Sequence, residues 1–174
     1  MNHFRSLDGV LFTSFAKYTT FGKDLYADLV SPSLQTNLMV ETWPNGPGKM
    51  DSSCKGPFQV ENIEEIDFSK ISAEVDFTTK HDHSKWAISY SAPASRRSRA
   101  IENFVCIGDI NRMETQKKRG GGTVCFQNKA IDFICTNLII LILRLIFRLV
   151  IKYLFWGFRL FYLFALFTIT CSKF

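Results

Sequence analysis

The strongest constraint in the sequence is an abrupt change of composition after residue 132. Residues 133–174, here called the C-terminal segment, hold five basic residues and no acidic one. The other 16 Lys and Arg lie in residues 1–132, together with all 16 Asp and Glu. The net charge of +5 therefore belongs to the C-terminal segment, and the polar part lacks the excess of base that is typical of a globular nucleic-acid-binding surface.

The C-terminal segment is predicted to be an apolar helical tail. Arg144, Arg148 and Lys152 recur every four residues, which places them along one helical face. Residues 134–171 are expected to associate with a membrane, either as a transmembrane helix or as an in-plane amphipathic helix with a basic stripe. A third interpretation is translated A·T-rich non-coding DNA, which also encodes runs of Phe, Ile, Leu and Tyr. The chain thus divides into a polar domain, 1–132, and a hydrophobic basic segment, 133–174.

Residue patterns in the polar domain predict a mixed α/β (α+β) fold with a central sheet. Residues 10–30 place apolar residues at helical spacing, so one helix or two short ones are expected there, broken at Gly22 and stopped by Pro32. Strands are expected over residues 34–43, 58–68 and 71–79, in the run Phe104–Ile107 and from Val124 onward. Residues 44–57 and 116–123 are rich in Gly or Pro and predict a loop and a basic turn.

The five cysteines do not form a metal or redox motif. No CxxC pair occurs, which disfavours zinc knuckles and thioredoxin-type sites. Cys106 and Cys125 flank a turn-rich segment, and both a disulfide and two buried thiols remain open on the residues alone. No N-terminal signal peptide is visible, since the first residues lack an apolar core of the needed length.

Three short motifs carry the candidate chemistry. His83 and Lys85 form an HxK triplet; on a strand they project to the same face. An imidazole can attack or protonate a phosphodiester, and a lysine can hold its oxygens, so no metal or other cofactor is required. Downstream, Gly108-Asp109-Ile110-Asn111 follows a buried strand. The third motif is the run Arg119, Gly120, Gly121, Gly122 and Thr123, whose glycines permit close backbone approach to a phosphate.

In this order and spacing, HDHSKWAIS, FVCIGDINR and KKRGGGTVCFQ resemble the C-terminal half of deoxyribonuclease II. The upstream stretches FAKYTTFGKDLYADLV and LQTNLMVETW are also similar to that family, so the resemblance runs from about Phe12 to Gln127. It implies a phospholipase D-like fold of two halves, each with an HxK motif, and metal-independent DNA cleavage at acid pH that leaves 3′-phosphates. It also implies a lysosomal or secreted protein.

The resemblance assigns roles to individual residues. His83, Lys85 and Asn111 are the implied catalytic residues, His83 serving as nucleophile or general acid. Asp109 and Arg119, with Gly120, Gly121 and Gly122, are candidate substrate-binding residues. Cys106 and Cys125 match a disulfide of the family, and Cys54 matches a bridged cysteine whose partner lies in the region that the C-terminal segment replaces. The candidate catalytic, substrate-binding and Cys106–Cys125 disulfide residues all lie within residues 83–125.

The family's first HxK half has no counterpart in this sequence, because no other HxK occurs. A two-histidine mechanism then needs a partner, either a homodimer or a second HxK-bearing half. The sheet is expected to have an exposed edge where that half would pack. Two further functions compete with an acid endonuclease acting on DNA: an inactive truncated paralogue that binds DNA, and a membrane-anchored interaction protein.

Overall fold

The computed structural model describes residues 1–67, 76–78, 81–90 and 103–128 of the chain. Their strands are β1 (Asn2–Arg5), β2 (Leu11–Lys17), β3 (Asn37–Glu41), β4 (Val60–Asn62), β5 (Glu65–Asp67), β6 (Asp76–Thr78), β7 (Trp86–Tyr90), β8 (Phe104–Gly108) and β9 (Gly121–Gln127). Seven of them form one sheet in the order β1-β2-β9-β8-β7-β3-β4. Every neighbouring pair in it is antiparallel except β3 and β4, which are parallel. β5 and β6 form a separate antiparallel pair.

The described helices are short. A π-helical turn, Tyr26–Val30, continues directly into α1, Ser31–Leu34, and 3-10 turns lie at Thr19–Phe21 and Glu114–Lys118. The helical stretch 26–34 packs on one face of the large sheet, because its apolar side chains alternate with exposed ones at helical spacing. The mixed α+β class and the central sheet predicted from the sequence are confirmed.

The core lies between this helical stretch and the sheet. Its strand residues occupy alternate positions, as in β2, where Thr13, Phe15 and Lys17 are buried and Ala16 is exposed. The buried apolar cluster comprises Phe15, Leu25, Tyr26, Val30, Leu38, Val40, Val60, Ala87, Phe104, Cys106, Ile110 and Cys125.

A disulfide crosses the centre of the sheet. Cys106 of β8 and Cys125 of β9 are directly opposite each other in register and are bonded. The disulfide implied by the family resemblance is therefore present, and it joins the two strands that lead into and out of the glycine-rich turn. Cys54 is also disulfide-bonded; its partner lies outside the described residues.

The helix predicted over residues 10–30 is wrong in its first part. Leu11–Lys17 is strand β2, paired with β1 on one side and with β9 on the other. Leu11 and Phe15 fit helical spacing, but Phe15 also belongs to the period-2 set Thr13–Phe15–Lys17, and two neighbouring strands satisfy its backbone. Gly22 does break the segment, since its φ of 67° ends the 3-10 turn in the left-handed region.

The prediction that Pro32 stops the helix is also wrong. Pro32 lies in the first turn of α1, and the helix continues beyond it to Leu34. Gln35, with a φ of 54°, ends it. Left-handed geometry at a C-terminal cap is normally met by Gly, so the sequence offered no signal for this boundary.

The remaining strand predictions agree with the described residues. β3 lies within 34–43, β4 and β5 lie within 58–68, and residues 44–57 form neither helix nor strand. The predicted turn 116–123 is shorter than expected, because strand β9 already begins at Gly121. β1 forms one border of the sheet and all its residues are exposed, as expected for an unpaired edge.

The domain boundary at 132 and the predicted tail 133–174 lie outside the described residues. Only β6 represents the strand predicted over 71–79, whose other residues also lie outside. Within the described ranges, no helix has both the length and the apolar character needed to span a membrane.

Gly122 is required by the approach of β9 to β2. A Cβ at this position would lie 2.0 Å from the backbone carbonyl oxygen of Phe15, whereas at Gly120 the nearest atom would be 3.7 Å away. We expect Gly122→Ala to lower the free energy of unfolding by about 1–3 kcal/mol through forced strand displacement. Gly120→Ala, the matched control, should change it by less than about 0.5 kcal/mol. Urea titration of both variants tests this, and equal midpoints would contradict it.

Candidate active site

One end of the large sheet gathers the predicted motifs. Because its strands are mostly antiparallel, β2, β3, β4 and β8 end there, while β7 and β9 begin there. The HxK triplet precedes β7, the GDIN motif follows β8, and the glycine run enters β9. We call this the site end of the sheet. The topology thus brings three motifs that are separated in sequence to one side of the molecule.

The HxK triplet lies in a tight loop, residues 81–85, rather than in a strand. Asp82 shapes this HxK loop: its Oδ1 accepts the backbone N–H of Ser84 at 2.9 Å and its Oδ2 accepts the Ser84 hydroxyl at 2.5 Å. The Lys85 ammonium donates to the carbonyl oxygen of His83. The expectation that the triplet lies in a strand is therefore wrong, because the side chain of Asp82 offers the backbone a local turn instead.

The His83 imidazole stacks on an aromatic ring. Trp43, just after β3, lies with its ring centroid 3.9 Å from that of His83, at an interplanar angle of 28°. Both imidazole nitrogens lie in the ring plane, so a stacked ring keeps them accessible while its plane is fixed. His83 is otherwise exposed. Trp43 was not singled out in the sequence, and only the contact across the fold identifies it.

The GDIN motif is joined to the HxK loop by a backbone hydrogen bond. The N–H of Gly108, the last residue of β8, donates to the carbonyl oxygen of Lys85 at 2.8 Å. A Cβ on Gly108 would lie 2.8 Å from the Tyr26 hydroxyl, so glycine is needed for this packing. Among the described residues, the buried Oδ1 of Asn111 has no hydrogen-bond partner. A buried acceptor oxygen without a partner can still accept a hydrogen bond from a bound ligand.

Asp109 connects the GDIN motif to the glycine run. Its N–H donates to the carbonyl oxygen of Gly122 at 3.1 Å, and its Oδ1 accepts the N–H of Gly122 at 2.7 Å. At Gly121, with a φ of 155°, a Cβ would lie 2.6 Å from the same carboxylate. Two of the glycines are therefore explained by close approach to Asp109 and to Phe15. Arg119 and Gly120 are exposed.

The comparisons with known proteins agree with the motif pattern. The family model described as Deoxyribonuclease II matches residues 1–142. The chain belongs to the deoxyribonuclease II family. It is 39% identical over 123 residues to deoxyribonuclease-2-alpha of Rattus norvegicus, which covers 71% of this chain and 32% of that protein.

Two other relatives give the same picture. Cell death-related nuclease 6 of Caenorhabditis elegans is 37% identical over 138 residues, covering 78% of this chain and 35% of the nuclease. Plancitoxin-1 of Acanthaster planci is 36% identical over 124 residues, covering 71% and 32% respectively. The chain thus spans about a third of the length of these curated relatives. The family membership predicted from the three motifs is confirmed.

Arg112, the last residue of FVCIGDINR, is a structural centre that the sequence reasoning missed. Its guanidinium is buried and pairs with the buried carboxylate of Asp24, with Nε and Nη2 at 2.9 and 2.8 Å from Oδ2. It also donates to Asn62 Oδ1 and to the carbonyl oxygen of Asp51. Its backbone N–H donates to the Thr42 hydroxyl at 3.2 Å. Arg112 therefore holds the segment that carries Asn111 against the ends of β3 and β4.

Glu41, the last residue of β3, was also missed. Its side chain is fully buried, and neither carboxylate oxygen has a hydrogen-bond partner among the described residues. Burial, and secondarily the charge of Asp82, raise the pKa of this carboxyl to about 8, although Lys85 opposes the rise. Glu41 is therefore a neutral acid below that pH. A single acid at the end of an alternating strand gave no sequence signal for this state.

Within the described ranges, no three His, Cys, Asp or Glu side chains converge as a set that could hold a metal ion.

The Arg112–Asp24 pair should be essential for stability. We expect Arg112→Met to lower the free energy of unfolding by about 3–5 kcal/mol, because Asp24 is left as an uncompensated buried charge. Lys49→Met is the control: it breaks the exposed Lys49–Glu64 pair of 3.0 Å and should cost at most about 1 kcal/mol. Chemical denaturation measures both, and similar losses would show that burial does not distinguish the two pairs.

The neutral Glu41 should make stability depend on pH. Its pKa rises from 4.5 to about 8 on folding, so the native state holds the proton more tightly. The contribution of the Glu41 proton to the free energy of unfolding is complete below pH 4.5 and is lost as the pH rises toward 8. The steepest loss is about 1.4 kcal/mol per pH unit.

Glu41→Gln removes this titration. Its stability relative to the original chain should therefore increase from about pH 5 to about pH 8. The exposed Glu64→Gln serves as the control and should keep the original slope. Urea unfolding at both pH values gives the result, and parallel slopes for Glu41→Gln and the original chain would refute it.

Proposed function

We propose that this chain supplies one HxK half of a deoxyribonuclease II-type active site, which hydrolyses DNA phosphodiester bonds without a metal ion. The observation that carries the proposal is the hydrogen bond from Gly108 to Lys85, which sets the HxK loop beside the GDIN motif. Family membership supplies the reaction class. His83 and Lys85 are the proposed catalytic residues, with Asn111 as a third.

The proposed chemistry is a two-step displacement. An imidazole nitrogen attacks phosphorus, a P–N bond forms and the P–O5′ bond breaks, while a second imidazole gives its proton to the leaving 5′-oxygen. Water then attacks phosphorus and gives a proton to the second imidazole, the P–N bond breaks, and a 3′-phosphate is released. His83 is one of the two imidazoles. Lys85 and the side-chain N–H of Asn111 donate to the non-bridging oxygens as charge develops.

The substrate backbone is proposed to extend from the HxK loop toward the glycine run. Arg119 and Gly120 are exposed at the start of β9 and can contact phosphates. Asp109, Gly121 and Gly122 support this surface through their mutual hydrogen bonds and close packing. Their role is thus to shape the backbone that faces the DNA.

The second imidazole comes from another HxK half. The described sheet corresponds, in this proposal, to one half of a phospholipase D-like fold, and the exposed edge strand β1 leaves room for pairing. A two-fold homodimer or a separate HxK-bearing chain completes the site.

A lysosomal or secreted location is proposed with this function. The Cys106–Cys125 disulfide suits an oxidising compartment. The C-terminal segment is proposed to add membrane association through residues 134–171.

Plasmid nicking tests the function directly. The full chain should nick supercoiled DNA at about pH 5 with excess chelator, where an acid imidazole is protonated. His83→Ala should lower the rate at least about 100-fold and retain DNA binding. His81→Ala is the matched control, because His81 is exposed in the same loop, and it should keep the rate.

Three outcomes would count against the nuclease. These are equal nicking by His83→Ala and the original chain, nicking only when metal is added, and a rate that rises toward about pH 8. Binding without nicking by the folded original chain would instead identify a DNA-binding paralogue.

A further inference from the structure

The segment at the end of β3, Glu41–Trp43, is next to the proposed site. Each of its three residues is adjacent to a different part of that site. Thr42 accepts the N–H of Arg112, next to Asn111, and Trp43 stacks on His83. Glu41 is opposite Trp86 in the β3–β7 register, and Trp86 directly follows Lys85. This segment therefore contacts both the HxK loop and the residue that follows the GDIN motif.

Glu41 differs from Thr42 and Trp43 in its side-chain polar atoms. The carboxyl is fully buried, and both oxygens lack a hydrogen-bond partner among the described residues. A buried carboxylate in this state is costly, whereas a neutral acid is tolerated at much lower cost. Burial accordingly raises the pKa of Glu41 to about 8. At acid pH Glu41 therefore adds no negative charge near the HxK loop.

The charged and titratable groups around Glu41 identify what its ionisation would affect. Asp82 and Lys85 act on it from the HxK loop, and it acts in turn on the Tyr26 hydroxyl from the helical stretch. Arg112 is already neutralised by Asp24. Lys85 is thus the cation of this group that an ionised Glu41 would attract.

We propose that Glu41 is a positioning residue for Lys85. While Glu41 is neutral, it leaves the Lys85 ammonium free to hold the substrate phosphate. The inference rests on the function proposed above and deepens it. An ionised Glu41 draws the ammonium of Lys85 toward the protein interior and competes with the phosphate for it. The affinity for DNA then falls as Glu41 loses its proton, independently of the chemistry at His83.

DNA affinity as a function of pH tests this role. The probe is a short, fluorescently labelled phosphorothioate duplex, and anisotropy gives its dissociation constant with the full chain from about pH 6 to about pH 9. Across this range, the dissociation constant of the original chain should rise at least about threefold more than that of Glu41→Gln. The two proteins should bind alike at pH 6.

A double-mutant cycle separates positioning from a merely structural effect. In a Lys85→Ala background, Glu41→Gln should no longer alter the pH dependence of binding. Lys85→Ala by itself should also lose the additional rise in dissociation constant, which keeps the proposal testable if Glu41→Gln does not fold. Glu61→Gln is the matched control, since this carboxyl lies one strand away and accepts the Tyr90 hydroxyl. It should follow the original chain.

The outcomes distinguish this inference from the proposed function. If the original chain nicks and binds DNA but Glu41→Gln or Lys85→Ala shows the same pH dependence, the role of Glu41 is overturned and the function stands. If the folded original chain neither binds nor nicks DNA at acid pH, the proposed function itself fails and the inference fails with it.

Discussion

The buried guanidinium of Arg112 is the interaction on which the site end of the sheet depends. It neutralises Asp24 before the helical stretch and donates to Asn62 at the end of β4, while its backbone contacts Thr42 after β3. Arg is suited to this role because its planar group donates in several directions and stays charged when buried. The segment with Asn111 is held in place because its neighbour is fixed at each of these points.

Around this fixed centre, several buried polar groups remain without hydrogen-bond partners among the described residues. They include both oxygens of Glu41, Oδ1 of Asn111 and the hydroxyl of Tyr26. A folded core normally satisfies such groups, and exceptions are concentrated where a protein binds something. Glu41 and Asn111 lie on either side of the HxK loop in the sheet order. Leaving these groups unpaired costs stability.

The sequence predicted the fold most reliably where the signal was local. The apolar run that forms β8 and the alternation that forms β3 identified two central strands, whereas Leu11–Lys17 was predicted as a helix because its spacing fits both periods. For the site, the motifs predicted which residues assemble, but not the turn that Asp82 imposes or the stacking of Trp43 on His83. The turn depends on a single side chain, and the stacking joins two segments that are far apart in sequence, so neither has a periodic signature.

The sequence by itself determined the family, because HSKW, GDINR and RGGG occur together in that order within the stretch that the family model matches. It also indicated the mixed class, and the family resemblance implied the pairing of Cys106 with Cys125 that the structure contains. The tertiary structure alone decided the states of Glu41 and Arg112. Whether a charge is kept, neutralised or paired depends on its burial and on its neighbours in space, and distant segments supply both only after the chain has folded.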